Sequence, residues 1–178
     1  TCALPISIVH SHALETTLKD PLTGVNNQAA LKAVLKREIA LALRHKSKFT
    51  VLVAGTNQLQ AVKSKHGNLY ADYVLKEIAV RILQSIRGSD IVFRHGKDKF
   101  LILLSNTNKN GALLSAQRIQ SCISREFELG EKGDFALNLS MGGTTLLEND
   151  DRTSLIERAD DAMERAKKSD KNSTIFDG

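Results

Sequence analysis

Leu31, Val34, Leu35, Ile39, Ala42 and Leu43 recur on one face at helical spacing, which predicts a helix over about residues 28–45. Asn26 or Asn27, just before it, can cap its first turn. Phe49–Ala54 is short and rich in strand formers, so it reads as a buried strand. A second helical region covers about 58–86, interrupted near Gly67, with Val74, Leu75, Ile78, Ala79, Ile82 and Leu83 on one face of its later half. Ile91–Phe93 and Phe100–Leu104 are short apolar runs, and the glycine-bearing gap Arg94–Lys99 between them predicts a hairpin. A helix over 110–127 follows from Ala112, Ala116, Ile119 and Ile123. Phe135–Met141 alternates as a strand that ends at Gly142-Gly143. Leu155, Ile156, Ala159, Ala162, Met163 and Ala166 predict a helix over about 153–168, and Asn172–Phe176 a last strand. At the front, residues 6–19 read as a short helix that stops at Asp20-Pro21, because proline pushes its predecessor out of the helical region. Leu22-Thr23-Gly24 is a turn. Helices over a short-stranded sheet make an α/β sandwich.

The chain has 178 residues, which suits one domain with a short extension, and 42% apolar residues, enough for a core. Its first residues, Thr-Cys-Ala-Leu-Pro, look like the cut end of something longer. No secretory pattern or long apolar run stands out. The net charge of +5 suits an anionic partner, but the basic residues are scattered through helices. With only 4% aromatics there is no base-stacking platform, so nucleic acid is not the expected partner. Cys2 and Cys122 form no metal or redox spacing, and Cys122 reads as a buried free thiol in a reducing, cytoplasmic setting.

Five segments in order resemble the GGDEF family, the domain of diguanylate cyclases. Asp20-Pro21-Leu22-Thr23-Gly24-Val25-Asn26-Asn27 is similar to its opening signature. Gly67, Asp72 and Val74-Leu75 resemble its second stretch, and Arg94-His95-Gly96-Lys97-Asp98-Lys99-Phe100 stands at its hairpin. Ser140-Met141-Gly142, and Ala159-Asp160-Asp161-Ala162-Met163 with Ala166-Lys167 and Lys171-Asn172, resemble its closing segments. The resemblance implies a central, mostly antiparallel five-stranded sheet flanked by helices, like a nucleotidyl-cyclase palm. It divides the chain into a helical linker from an upstream sensor, 1–19, and a degenerate GGDEF domain, 20–178. It places the domain in the cytoplasm, alone or as part of a membrane-anchored protein.

The family joins two GTP molecules, one on each copy of a dimer, into cyclic di-GMP, with Mg²⁺ held by carboxylates. On that resemblance Asp98 is the remaining metal-site carboxylate. Gly55 replaces the strand-end Asp, Asn57 replaces another, Lys97 replaces a glycine and Lys99 reverses the charge of a Glu. Lys63 stands at a base-reading Asn position, and its partner Asp72 is kept. Lys167 matches a phosphate-contacting lysine, and Lys171 replaces an arginine. Arg87 and Asp90, an Arg-x-x-Asp, stand at the family's cyclic di-GMP inhibitory site; Arg suits phosphate and guanine edges, and Asp suits guanine N–H groups. Blander roles stay open: hairpin-tip charges for Lys97 and Lys99, a turn residue for Asp98, a cap or salt bridge for Asp72, a helix-dipole role for Lys167 and Lys171, and a helix-end ion pair for Arg87 and Asp90.

The expectation from these departures is a degenerate cyclase that is not an enzyme, needs no cofactor, and senses cyclic di-GMP through Arg87 and Asp90. It would bind GTP weakly and sit in a homodimer or a multidomain signalling protein. The alternatives are an active diguanylate cyclase with an altered metal site, which alone would require Mg²⁺, and a structural dimerisation module.

Overall fold

Asn27 stands in extended backbone, and its side-chain oxygen accepts the N–H groups of Ala29 and Ala30. This cap starts α1 (Gln28–His45). The computed structural model describes residues 18–124, 137–169 and 172–178. After α1 come β1 (Phe49–Gly55), α2 (Leu59–His66), α3 (Asn68–Ser85), β2 (Ile91–His95), β3 (Lys99–Ser105), α4 (Lys109–Ile123), β4 (Ser140–Thr145), α5 (Arg152–Lys168) and β5 (Thr174–Asp177). The break between α2 and α3 falls at Gly67, whose φ of 88° is open to glycine and strained for other residues. The helix expected over residues 6–19 lies mostly outside the described residues; Leu18 is in a turn and Lys19 bridges to Asn26.

The sheet order is β2-β3-β1-β4-β5, antiparallel throughout except for the β4–β5 pair. The mostly antiparallel five-stranded sheet expected from the sequence is therefore present. Strand alternation sorts the core onto two faces. Leu52, Ala54, Phe100, Ile102 and Leu104 pack with Val74, Ile78, Ile82 and Ala116 from α3 and α4. Val51, Val53, Leu101 and Leu103 pack with Leu31 and Leu35 of α1 and with Leu155, Ala159 and Met163 of α5. Both faces of β1 are covered, which is why its seven residues are all buried.

The structure differs from the sequence reading at two boundaries and in the burial of one residue. Of the strand expected at 135–141, residues 135 and 136 lie outside the described residues; the strand found is Ser140–Thr145, and it runs through Gly142 and Gly143 instead of ending there. The glycines allow close contact: a Cβ on Gly142 would lie 2.1 Å from the Met163 nitrogen, and one on Gly143 2.3 Å from the Phe176 ring. The hairpin is tighter than expected, because Arg94, His95 and Lys99 belong to the strands and only Gly96-Lys97-Asp98 turns. Cys122 is half-buried instead of buried.

Candidate functional site

The end of the β2–β3 hairpin, where Gly96 takes a φ of 68°, leans over the groove between α2 and α3. Here Lys63, Asp72, Lys97 and Asp98 line one cleft of about 540 Å³. Four residues singled out from three parts of the sequence thus meet in one place. Arg94 holds the hairpin from below. Its guanidinium lies 5.2 Å from the centre of the Phe100 ring and donates to the carbonyl oxygens of Gly96 and Lys97. Burial lowers its pKa, and the nearby Asp20, Asp98 and Asp72 carboxylates oppose that shift. Asp20 itself accepts the Thr23 N–H at 2.9 Å and the Thr23 hydroxyl at 2.6 Å, which explains the opening Asp-Pro-Leu-Thr-Gly turn.

Gly55 ends β1, directly opposite Lys99 on β3. The space beside it belongs to α5: a Cβ on Gly55 would lie 3.2 Å from Lys167 Cε and 3.4 Å from its Nζ. Asn57 donates through Nδ2 to the Lys167 carbonyl at 3.1 Å. Lys99 is not a free tip charge. Its Nζ donates to Asp160 Oδ1 at 2.9 Å and lies 3.3 Å from Glu164 Oε1. The other Asp160 oxygen lies 2.7 Å from His95 Nε2, and Lys167 Nζ lies 3.7 Å from the same Glu164 oxygen. Lys171 lies outside the described residues.

This network shifts two pKa values. Burial works to lower that of Lys99, but the Asp160 hydrogen bond and charge, with Glu164, outweigh it and raise the value. Burial works to raise that of Asp160, but His95 and Lys99 outweigh it and lower the value. The carboxylate's contribution to stability is therefore present above the ordinary Asp range and lost as pH falls through its depressed folded value. The ammonium's contribution is present below the ordinary Lys range and lost as pH rises through its raised folded value. Asp160→Asn should cost about 1–2 kcal/mol at neutral pH. The deficit should shrink toward strong acid and strong alkali. Urea unfolding of both proteins across pH checks this, and a pH-independent difference would contradict it.

Mg²⁺ needs several hard oxygen ligands. At this sheet end Gly55 brings no side-chain oxygen, Asp160 and Glu164 are engaged by Lys99, and Asp98 is the carboxylate left on the hairpin turn. Among the described residues, no three His, Cys, Asp or Glu side chains converge as a metal cage. The donor set does not fit the magnesium site that the family resemblance implies.

Arg87 and Asp90 form a tight turn between α3 and β2. Asp90 Oδ2 accepts the Arg87 backbone N–H at 3.0 Å, and the Arg87 carbonyl accepts the Asp90 N–H at 3.0 Å. The pair is joined through the backbone, and the Arg87 side chain is exposed. It borders a hollow of about 600 Å³ with Leu114, Gln117 and Arg118 of α4. Arg118 was not singled out by its sequence position. Its signal was a basic residue on the polar face of a helix, with nothing local to link it to Arg87, which lies far from it in sequence.

The family model described as "Diguanylate cyclase, GGDEF domain" matches residues 17–173. The chain is 32% identical over 154 residues to diguanylate cyclase DosC of Escherichia coli K12, covering 86% of this chain and 34% of DosC. It thus spans about a third of that relative's length. The solved GGDEF domain of TpbB (YfiN) from Pseudomonas aeruginosa is 29% identical, with a TM-score of 0.83 over 89% of this chain and 93% of that one. A microbial GGDEF domain solved for its interaction with cyclic di-GMP is 28% identical, with a TM-score of 0.77 over 90% of this chain and 99% of that one. These matches correct the expectation of a non-enzyme: DosC and the matching family model are both named for diguanylate cyclase.

Proposed function

The chain belongs to the GGDEF family, and from that premise we propose that it works in cyclic di-GMP signalling as a diguanylate cyclase with an altered phosphate site, regulated by cyclic di-GMP at Arg87 and Asp90. The carrying observation is the convergence of Lys63, Asp72, Lys97 and Asp98 on one cleft. The Asp72 carboxylate suits the N–H groups on the Watson–Crick edge of guanine, and the Lys63 ammonium suits its O6 and N7. In the reaction each 3′-hydroxyl oxygen bonds to the α-phosphorus of the other GTP, its proton passes to solvent, and the bond from that phosphorus to pyrophosphate breaks. Positioning and charge neutralisation dominate such a transfer. One cleft holds one GTP, so the reading includes a second copy of the domain facing the first. Slow turnover is expected from the altered site.

The cleft assignment has its own test. Asp72→Ala should weaken GTP binding roughly tenfold or more, the effect of losing a charge-assisted contact. It should also erode preference for GTP over ATP and leave the melting temperature nearly unchanged, because Asp72 is only half-buried. Equal GTP affinity in wild type and Asp72→Ala would remove the guanine from this cleft. A cytoplasmic location belongs to the same proposal, since GTP is a cytoplasmic substrate. No helix among the described residues is long and apolar enough to cross a membrane.

A further inference from the structure

The end of β1 carries a charge arrangement that differs from a metal site in kind. We infer that the triphosphate of a bound nucleotide is held here by the ammonium groups of Lys99 and Lys167, without a divalent cation; this rests on the reading of the cleft as a GTP site. Lys167 packs beside Gly55, with Cε 3.2 Å and Nζ 3.4 Å from where a Cβ would sit. Lys99 enters from the opposing strand at the same register position. The two ammonium groups meet at a single oxygen, Glu164 Oε1, at 3.3 and 3.7 Å. Two cations converging on one carboxylate oxygen form a ready anion subsite.

The partners are unequal in a way that favours exchange. Asp160 is half-buried and held from both sides by His95 and Lys99, so it fixes Lys99 in place. Glu164 has a side chain 48% exposed, and its bonds to the two lysines are longer. A polyphosphate carries more charge and more acceptor oxygens than one carboxylate. It can therefore displace Glu164 from both lysines while Asp160 stays. A divalent cation entering the same space would face two ammonium groups, which oppose it by like charge.

The experiment is calorimetric titration of this chain with GTP, once in excess EDTA and once in excess Mg²⁺. The expected result is an affinity that changes by less than about threefold between the two conditions. Glu164→Gln should bind GTP a few-fold more tightly in EDTA, because the competing carboxylate is gone. Lys167→Gln should bind roughly tenfold more weakly, the loss of one charge-assisted contact. Binding that EDTA weakens tenfold or more would overturn the inference and leave the GTP reading of the cleft intact. No GTP binding under either condition would overturn both. Unchanged affinity in folded Lys167→Gln would overturn the inference even if binding is independent of metal.

Discussion

Arg87→Ala should lower the affinity for cyclic di-GMP about a hundredfold. The Arg87 guanidinium is exposed at the rim of a hollow, and Asp90 engages its backbone N–H instead of its side chain. The side chain is thus available to make bidentate contacts with a phosphate or a guanine edge. Each hydrogen bond to a charged group is worth roughly 1.5–3 kcal/mol, so losing two reaches a hundredfold. Arg118, across the same hollow on α4, should contribute about tenfold by the same reasoning. Asp90→Ala should cost less affinity where water replaces its guanine contacts. It should also loosen the turn, because its carboxylate accepts the Arg87 N–H. Titration of the wild type, Arg87→Ala, Asp90→Ala and Arg118→Ala with cyclic di-GMP, each with a thermal melt, checks these expectations. Equal affinities across all four proteins would place the ligand elsewhere.

Gly142→Ala should destabilise the fold by on the order of 4 kcal/mol or more, at or beyond the upper end of ordinary overpacking. The added Cβ would lie 2.1 Å from the Met163 nitrogen, 2.3 Å from the Ala159 oxygen and 2.7 Å from the Ala162 carbonyl carbon. All three atoms are backbone of α5, so no side-chain rotation relieves the clash. The helix would have to lift from β4 and strain its anchors. Among these are the Arg158 hydrogen bond to the Thr145 oxygen at 3.1 Å and the contacts of Lys99 with Asp160 and Glu164. For a chain of this size the melting temperature should drop by roughly 10 °C or more. Gly88→Ala is the control: a Cβ there meets nothing within 4 Å, and little change is expected. A Gly142→Ala protein that melts with the wild type would mean that α5 packs less closely on β4.

Much of this architecture could be read from residue order because the core obeys simple periods. The α1 stripe of Leu31, Leu35 and Ile39 and the run Phe49–Ala54 each bury one continuous surface, and both lie where they were expected. Gly142-Gly143 misled for a physical reason. Glycine pairs punctuate chains when they turn, but here they stay extended so that α5 and Phe176 can approach. The cleft residues were legible one by one through the family resemblance, and their meeting in one cleft is a tertiary fact. Lys99 shows the limit most clearly. As a residue next to a turn it suggests a solvated charge, yet its partners Asp160 and Glu164 sit on α5, far away in sequence. Sequence spacing within the hairpin holds no record of that contact. Arg118 was missed for the same reason, since only the packing of α4 beside the Arg87 turn brings it near.

The central question is whether this chain, with Gly55 and Lys99 in place, converts GTP. The most direct measurement is incubation of the purified chain with GTP, followed by chromatographic separation of nucleotides, beside a heat-denatured control and Asp72→Ala. Cyclic di-GMP and pyrophosphate should accumulate slowly, in a two-to-one ratio of pyrophosphate to cyclic product, with Asp72→Ala slower still. Cyclic di-GMP no higher than in the heat-denatured control, from a chain shown to be folded and to bind GTP, would contradict this expectation.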